Sequence, residues 1–221
     1  MGRTACGLAA AVLAVLALAI AAGAARSQGL SEARVFVETP LVAALRPARV
    51  VAWAEKLAPV EVESPNGAVV RIRLYGSDGE IDPDALAAFE RAASQDGNAY
   101  PLASRLVQIV FKAAYHFSGA RVIVVSGFRA HASRHGTNEA LDFKLKGLRA
   151  ATLAAYLRGI PRTGVGVYTH PRKQYVHLDV REPSFHWIDA SPPGVHWREG
   201  AMWDKGATKR DAAWTPEMDL P

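Results

Sequence analysis

The chain has 221 residues, half of them hydrophobic, a formal net charge of +5 and one cysteine. That length suits one folded domain with an accessory segment and is ample for a buried core. Its alternating and continuous runs of Val, Ile and Leu exclude a disordered chain, and the lack of a second long apolar run excludes a polytopic membrane protein.

Residues 1–25 read as a signal peptide, the alternative being an uncleaved anchor. Arg3 gives a positive start, Leu8 to Ile20 an apolar core, and Ala22-Gly23-Ala24 a small-residue cleavage site. The expected location is periplasmic or secreted, with no stable membrane span after cleavage. Cys6 precedes the apolar run, so it is misplaced for a lipid anchor and leaves with the signal. The mature chain then has no thiol, which excludes disulfides, thiolate zinc sites and cysteine nucleophiles. His, Asp and Glu remain as metal ligands. The residual mild positive charge suits an anionic polymer surface, whereas no basic cluster with interleaved aromatics points to nucleic acid. Oligomeric state is not legible.

Residues 26–65 form a lead-in whose short apolar stretches are broken by Pro40, Pro47 and Pro59. From Val69 the pattern sharpens. Val70, Ile72 and Leu74 alternate with Arg71 and Arg73, predicting a half-buried strand that stops at Gly76-Ser77-Asp78-Gly79. Asp82-Pro83 predicts a capped helix start, with Leu86 and Phe89 on one face. Pro101 opens a second helix carrying Leu102, Leu106, Ile109, Val110 and Ala113, with Gly119 as its stop. Val122 to Val125 reads as a central strand, followed by a polar loop and a strand from Ala140 to Leu145. A helix near Leu148–Arg158 precedes two strands, Gly164–Tyr168 and Gln174–Val180, joined as a hairpin. Helices first and mostly antiparallel strands later predict an α+β domain, with a small sheet and helices packed on one face. The domain is expected over 66–195, with a Trp-rich, loop-like tail over 196–221.

Strand periodicity locates the chemistry. In Gln174–Val180, Val176, Leu178 and Val180 make the core face, leaving Tyr175, His177 and Asp179 on the other. In Ala140–Leu145, Leu141, Phe143 and Leu145 point inward and Ala140, Asp142 and Lys144 outward. His177 and Asp142 would share one sheet surface, with His135 in a loop able to fold over it. Two imidazoles and a carboxylate converging on a point make a catalytic zinc site with one open position. The helical H-E-x-x-H alternative is absent. Each residue also has an ordinary reading. His177 could be satisfied by Asp179, Asp142 could pair with Lys144 or an Arg, and His135 could be a solvated loop residue.

Ser133-Arg134-His135-Gly136-Thr137-Asn138-Glu139-Ala140-Leu141-Asp142 resembles the S-x-H-x-x-G-x-A-x-D motif of the zinc D-Ala-D-Ala metallopeptidase superfamily. That superfamily includes lysostaphin-type endopeptidases and the hedgehog signalling domain. Ser126-Gly127-Phe128-Arg129 resembles its S-G-[YF]-R element. Gly164-Val165-Gly166-Val167-Tyr168, with Tyr175-Val176-His177-Leu178-Asp179, is similar to its periplasmic YcbK-like branch. The likeness covers Arg71 to Gly194, including His186-Trp187-Ile188-Asp189-Ala190.

The resemblance implies a hedgehog/D-Ala-D-Ala-peptidase-like fold and a Zn2+ ion held by His135, Asp142 and His177. It implies cleavage of peptide bonds in peptidoglycan, as a carboxy- or endopeptidase on D,D- or L,D-bonds. Arg129 becomes the cation near the substrate carbonyl or carboxylate, the ordinary alternative being a structural salt bridge. There are three departures. Asn138 replaces the motif Gly and tolerates a left-handed backbone. The loop from Arg129 to His135 is short. Where many members place a catalytic Glu or His before the second ligand, this chain has Gln174 and Tyr175. The remaining general-base candidates are Asp179, His131 and Glu139. Asp179 is preferred as proton shuttle, and orientation of the His177 ring is its alternative role. Tyr175 either hydrogen-bonds the developing oxyanion or packs. These departures sustain a second functional reading, a zinc-retaining but non-hydrolytic peptidoglycan-binding module. Trp197, Trp203 and Trp214 read as a platform for sugar rings or, in the preferred reading, as a cover for exposed apolar sheet.

Overall fold

In the computed structural model, residues 51–128, 134–195 and 199–221 are described. The expected signal peptide and most of the lead-in lie outside them. In chain order the elements are α1 (Ala52–Lys56), β1 (Val60–Glu63), β2 (Val69–Ile72), α2 (Pro83–Ala92), α3 (Ser104–His116), β3 (Val122–Ser126) and β4 (Ala140–Leu145). Then follow α4 (Ala150–Leu157), β5 (Thr163–Tyr168), β6 (Tyr175–Val180), β7 (Phe185–Asp189), β8 (Glu199–Met202), α5 (Ala207–Ala212) and a 3-10 turn, Pro216–Asp219. The α+β expectation holds.

The strands form one eight-stranded sheet in the order β2-β1-β3-β4-β6-β5-β7-β8. Pairing is antiparallel except at β1/β3 and β5/β7. The sheet is therefore larger than expected and runs past both boundaries drawn at 66 and 195. β1 lies ahead of the first and β8 beyond the second. β1 alternates buried Val60 and Val62 with half-buried Glu61 and Glu63 over only four residues, whereas β8 has no such alternation and is held by its pairing with β7.

The helices start as their residues dictate. The Asp82 carboxylate accepts from the Asp84 and Ala85 amides, and Pro83, which lacks an N–H, occupies the first helical position. α3 begins at Ser104, three residues after Pro101, and buries Leu106, Ile109, Val110 and Ala113. α4 buries Leu153 and Leu157. These side chains pack on Leu141, Phe143, Val165, Val176 and Leu178, which form the apolar face of the sheet. Burying each such side chain contributes about 1.5–3 kcal/mol, so this layer fixes which face of β4 and β6 is left for chemistry. At the open edge the alternation is correct but burial is not. Val70 stands beside Val62 and is still 36% exposed, because β2 pairs with β1 alone.

The C-terminal segment differs from its loop-like expectation. β8 pairs with β7, and α5 and the 3-10 turn follow. Arg105 of α3 reaches the Asp219 carboxylate at 2.7 Å and the carbonyls of Pro161 and Arg162, each at 2.7 Å.

Candidate metal centre

Three elements bring the predicted ligands together. Asp142 of β4 and His177 of β6 are direct register partners in the antiparallel pair. His135 arrives from the turn at 134–138, where Asn138 holds the left-handed conformation expected of it, with φ of 61°. A bulge between Val124 and Ser126 shifts the β3 register against Asp142 and delivers the next residue, Gly127, to the site. The Gly127 carbonyl accepts a 2.7 Å hydrogen bond from His135 Nδ1. A carbonyl can only accept, so Nδ1 carries the proton and Nε2 of the neutral ring offers its lone pair.

That lone pair points at the other two ligands. His135 Nε2 lies 3.2 Å from His177 Nδ1 and 3.4 Å from Asp142 Oδ1, and His177 Nδ1 lies 2.9 Å from Asp142 Oδ1. All three residues are buried. Ligands bonded at about 2.0–2.1 Å around a tetrahedral ion stand roughly 3.3 Å from one another, so the observed triangle fits one small cation. Among the described residues this is the one group of three or more His, Cys, Asp and Glu side chains able to hold a metal.

The electrostatics match. Burial opposes ionisation of Asp142, but its hydrogen bonds with His135 and His177 outweigh it and hold the carboxyl well below the usual range. Burial also opposes charge on His177, and the Asp142 and Asp179 carboxylates reverse that and raise its pKa. A metal ion held at Nδ1 would take the place of a proton there.

Asp179 requires a correction. The expected proton shuttle is fully buried and meets His177 at Nε2, 3.0 Å away, on the opposite side of the ring from Nδ1. Arg181 grips both its oxygens, Nε bonding Oδ1 at 2.6 Å, and Arg134 Nε stands 3.4 Å from Oδ1. Burial would raise its pKa, yet His177 and Arg181 lower it. A carboxylate so engaged is set to orient an imidazole rather than to shuttle a proton.

The other candidates are scattered. Glu139 is turned to the turn itself, paired with Arg134 at 3.0 Å and accepting from Thr137 Oγ1 at 3.0 Å. Tyr175 shares the His177 face and stacks on Tyr168 with ring centroids 4.2 Å apart. Gln174 donates from Nε2 to the Thr169 carbonyl at 2.7 Å. Arg129 and His131 lie outside the described residues.

Sequence reasoning missed the wall beside the metal ligands. Asp142, His177, Gly166 and Trp187 form one row across β4, β6, β5 and β7. A Cβ at Gly166 would sit 2.3 Å from the Trp187 ring, so only glycine lets that indole lie across β5 to meet His177, centroids 4.9 Å apart. In the neighbouring row a Cβ at Gly164 would sit 2.2 Å from Asp179 Oδ2. The two glycines of Gly164-Val165-Gly166 thus make room for the carboxylate and the aromatic ring around His177. Arg181 is the residue that period-two counting from His177 and Asp179 could have found.

A family model described as Peptidase M15 matches residues 82–179, a span that contains all three ligands and Asp179. No curated protein and no solved structure gives a significant match.

Proposed function

We propose that this chain, whose residues 82–179 match the Peptidase M15 family of zinc D-Ala-D-Ala carboxypeptidase-like proteins, is a zinc-dependent hydrolase of peptidoglycan peptides acting in the periplasm or outside the cell. The observation that carries this reading is the donor triangle of His135 Nε2, Asp142 Oδ1 and His177 Nδ1. Zinc bound there supplies Lewis acidity, which acidifies a water molecule and polarises a carbonyl.

The protein's own part is to hold and aim. The Gly127 carbonyl fixes the His135 tautomer, and Asp179 does the same for His177 by accepting from Nε2. Arg181 and Arg134 keep Asp179 ionised and still, so the acceptor does not follow the proton. Trp187 excludes water from one side of His177. These contacts pre-organise the donors, so little reorganisation is required when charge develops on the substrate carbonyl.

A second reading is favoured by one set of contacts. Where the resemblance seeks a base the chain has Gln174 and Tyr175, and Asp179 is held by Arg181 and His177. A metal-holding module that binds peptidoglycan without cutting it accommodates that. One assay separates the two. Wild-type chain and His135→Ala are incubated with zinc and purified sacculi, and released fragments are read by mass spectrometry alongside bound metal. The hydrolase gives new peptide termini that His135→Ala, having lost its metal, does not produce. Saturable binding to sacculi without new termini establishes the module.

A further inference from the structure

At the ends of β7 and β8 lies a groove of about 520 Å³, lined by Phe185, Met202, Trp203, Asp204, Lys205 and Thr208 among others. Three of its side chains are large, apolar and exposed, with Trp203 at 87% and Phe185 at 46%. Trp203 therefore covers no sheet, contrary to the preferred expectation for the tail. Leaving such side chains in water forgoes their burial energy, and a cluster of them marks a contact surface.

Ring contacts link one wall of the groove to the metal site. Phe185 stacks on Trp187, with centroids 5.9 Å apart and planes 26° from parallel, and Trp187 meets His177. The Arg181 guanidinium lies over both rings, 5.6 Å from Phe185 and 5.7 Å from Trp187, and so fixes their orientation. Two ring contacts thus connect a metal ligand to the groove.

Its chemistry selects the occupant. A pyranose ring has a flat C–H face that packs on an aromatic ring and a rim of hydroxyls that both donate and accept. Trp203 and Phe185 supply flat faces, Lys205 a donor and Thr208 both a donor and an acceptor. Asp204 is already paired with Arg210, so it is the exposed flat faces of Trp203 and Phe185 that suit a sugar ring better than a stem peptide. In peptidoglycan the peptide hangs from the glycan, so a peptide held at the metal brings its sugar within reach of this wall. We propose that the Phe185–Trp203 groove is a glycan subsite that binds an N-acetylhexosamine unit of the strand bearing the peptide. This inference deepens the peptidoglycan reading and rests on it for the identity of the sugar.

The probe is the tetrasaccharide of N-acetylglucosamine, which carries no peptide. Its binding to the full chain is followed by tryptophan fluorescence and by NMR titration. Trp203→Ala and Phe185→Ala each weaken binding about tenfold, Trp203→Phe retains it, and Trp203→Leu, which is apolar but has no flat face, does not. Met218→Ala, an exposed apolar residue outside the groove, keeps wild-type binding. Chelating the metal leaves tetrasaccharide binding intact. Absence of binding, binding indifferent to both alanine variants, or occupation of the groove by a sugar-free stem peptide alone each overturns the subsite. A chain that binds the tetrasaccharide but leaves sacculi uncut refutes hydrolysis only. One that cuts sacculi and ignores the tetrasaccharide refutes the subsite only.

Discussion

At the residue scale the site is decided by which nitrogen of each histidine is committed elsewhere. His135 spends Nδ1 on the Gly127 carbonyl and presents Nε2, whereas His177 spends Nε2 on Asp179 and presents Nδ1. The two rings thus use opposite nitrogens, and that combination leaves both lone pairs, with Asp142 Oδ1, free to meet a single cation. Asp179→Asn tests the argument. An amide no longer holds the imidazole with a full negative charge and can present its NH2 to Nε2, which favours the wrong tautomer. Metal affinity is expected to fall about 10- to 100-fold, measured by competition with a chromophoric chelator, while the fold persists. Unchanged affinity, with turnover alone reduced, would restore Asp179 to the proton-transfer role that the structure takes from it. Arg181→Gln is expected to shift affinity in the same direction by less, because Arg134 remains 3.4 Å from the same carboxylate.

At the element scale β5 is shaped by what must pass over it. Its glycines at 164 and 166 face the metal side, and its valines at 165 and 167 face the core. Gly166→Ala would drive a methyl group into the Trp187 ring, which has to swing off His177 or strain the β5/β7 pairing. The expected cost is about 1–3 kcal/mol in urea denaturation, with a change in Trp187 fluorescence. An unaltered midpoint would show that the ring does not lie across the glycine. These elements also show what a sequence can and cannot disclose. The strands β4 and β6 were legible, because a two-residue period with one apolar face leaves Asp142, His177 and Asp179 on the other. The cap at Asp82 and the turn at Asn138 were legible from local chemistry. The role of Asp179 was not, since it depends on Arg134 and Arg181 meeting it through the fold. Trp187 was visible as part of a motif, but its contact with His177 depends on β7 joining β5 in parallel, a long-range choice with no local signature. α1 and β8 are too short to show a period and gain their structure from neighbours, whereas β1 alternates Val and Glu over four residues that its pairing with β3 and β2 completes.

At the scale of the whole molecule, the C-terminal residues close the fold instead of trailing from it. Trp214 lies under two guanidinium groups, 5.0 Å from Arg105 and 4.7 Å from Arg162, and donates from Nε1 to Asp219 at 2.9 Å. Asp211 of α5 accepts from the Arg162 amide at 2.6 Å and from the Ser184 amide and hydroxyl at 2.8 and 2.7 Å. Asp204 pairs with Arg210 ahead of α5. These acids make the closure sensitive to pH. Arg210, together with the Gly206 amide, holds Asp204 at about 2 against the opposing effect of burial. Burial pushes Asp211 up, but the Ser184 and Arg162 hydrogen bonds outweigh it and lower its pKa. Both folded-state values lie below the unfolded value of about 3.9. The unfolded chain therefore binds protons first, and the stabilisation is complete above that value and disappears as pH falls through the folded ones. Melting temperature should hold steady from about pH 7 to 5 and drop between about pH 4 and 2. Asp211→Asn should melt lower at neutral pH and show a shallower acid decline than wild type, because the group that supplied the proton linkage has gone. Followed by circular dichroism across that range, an identical slope in the two proteins would mean that the arm is not closed by this carboxylate.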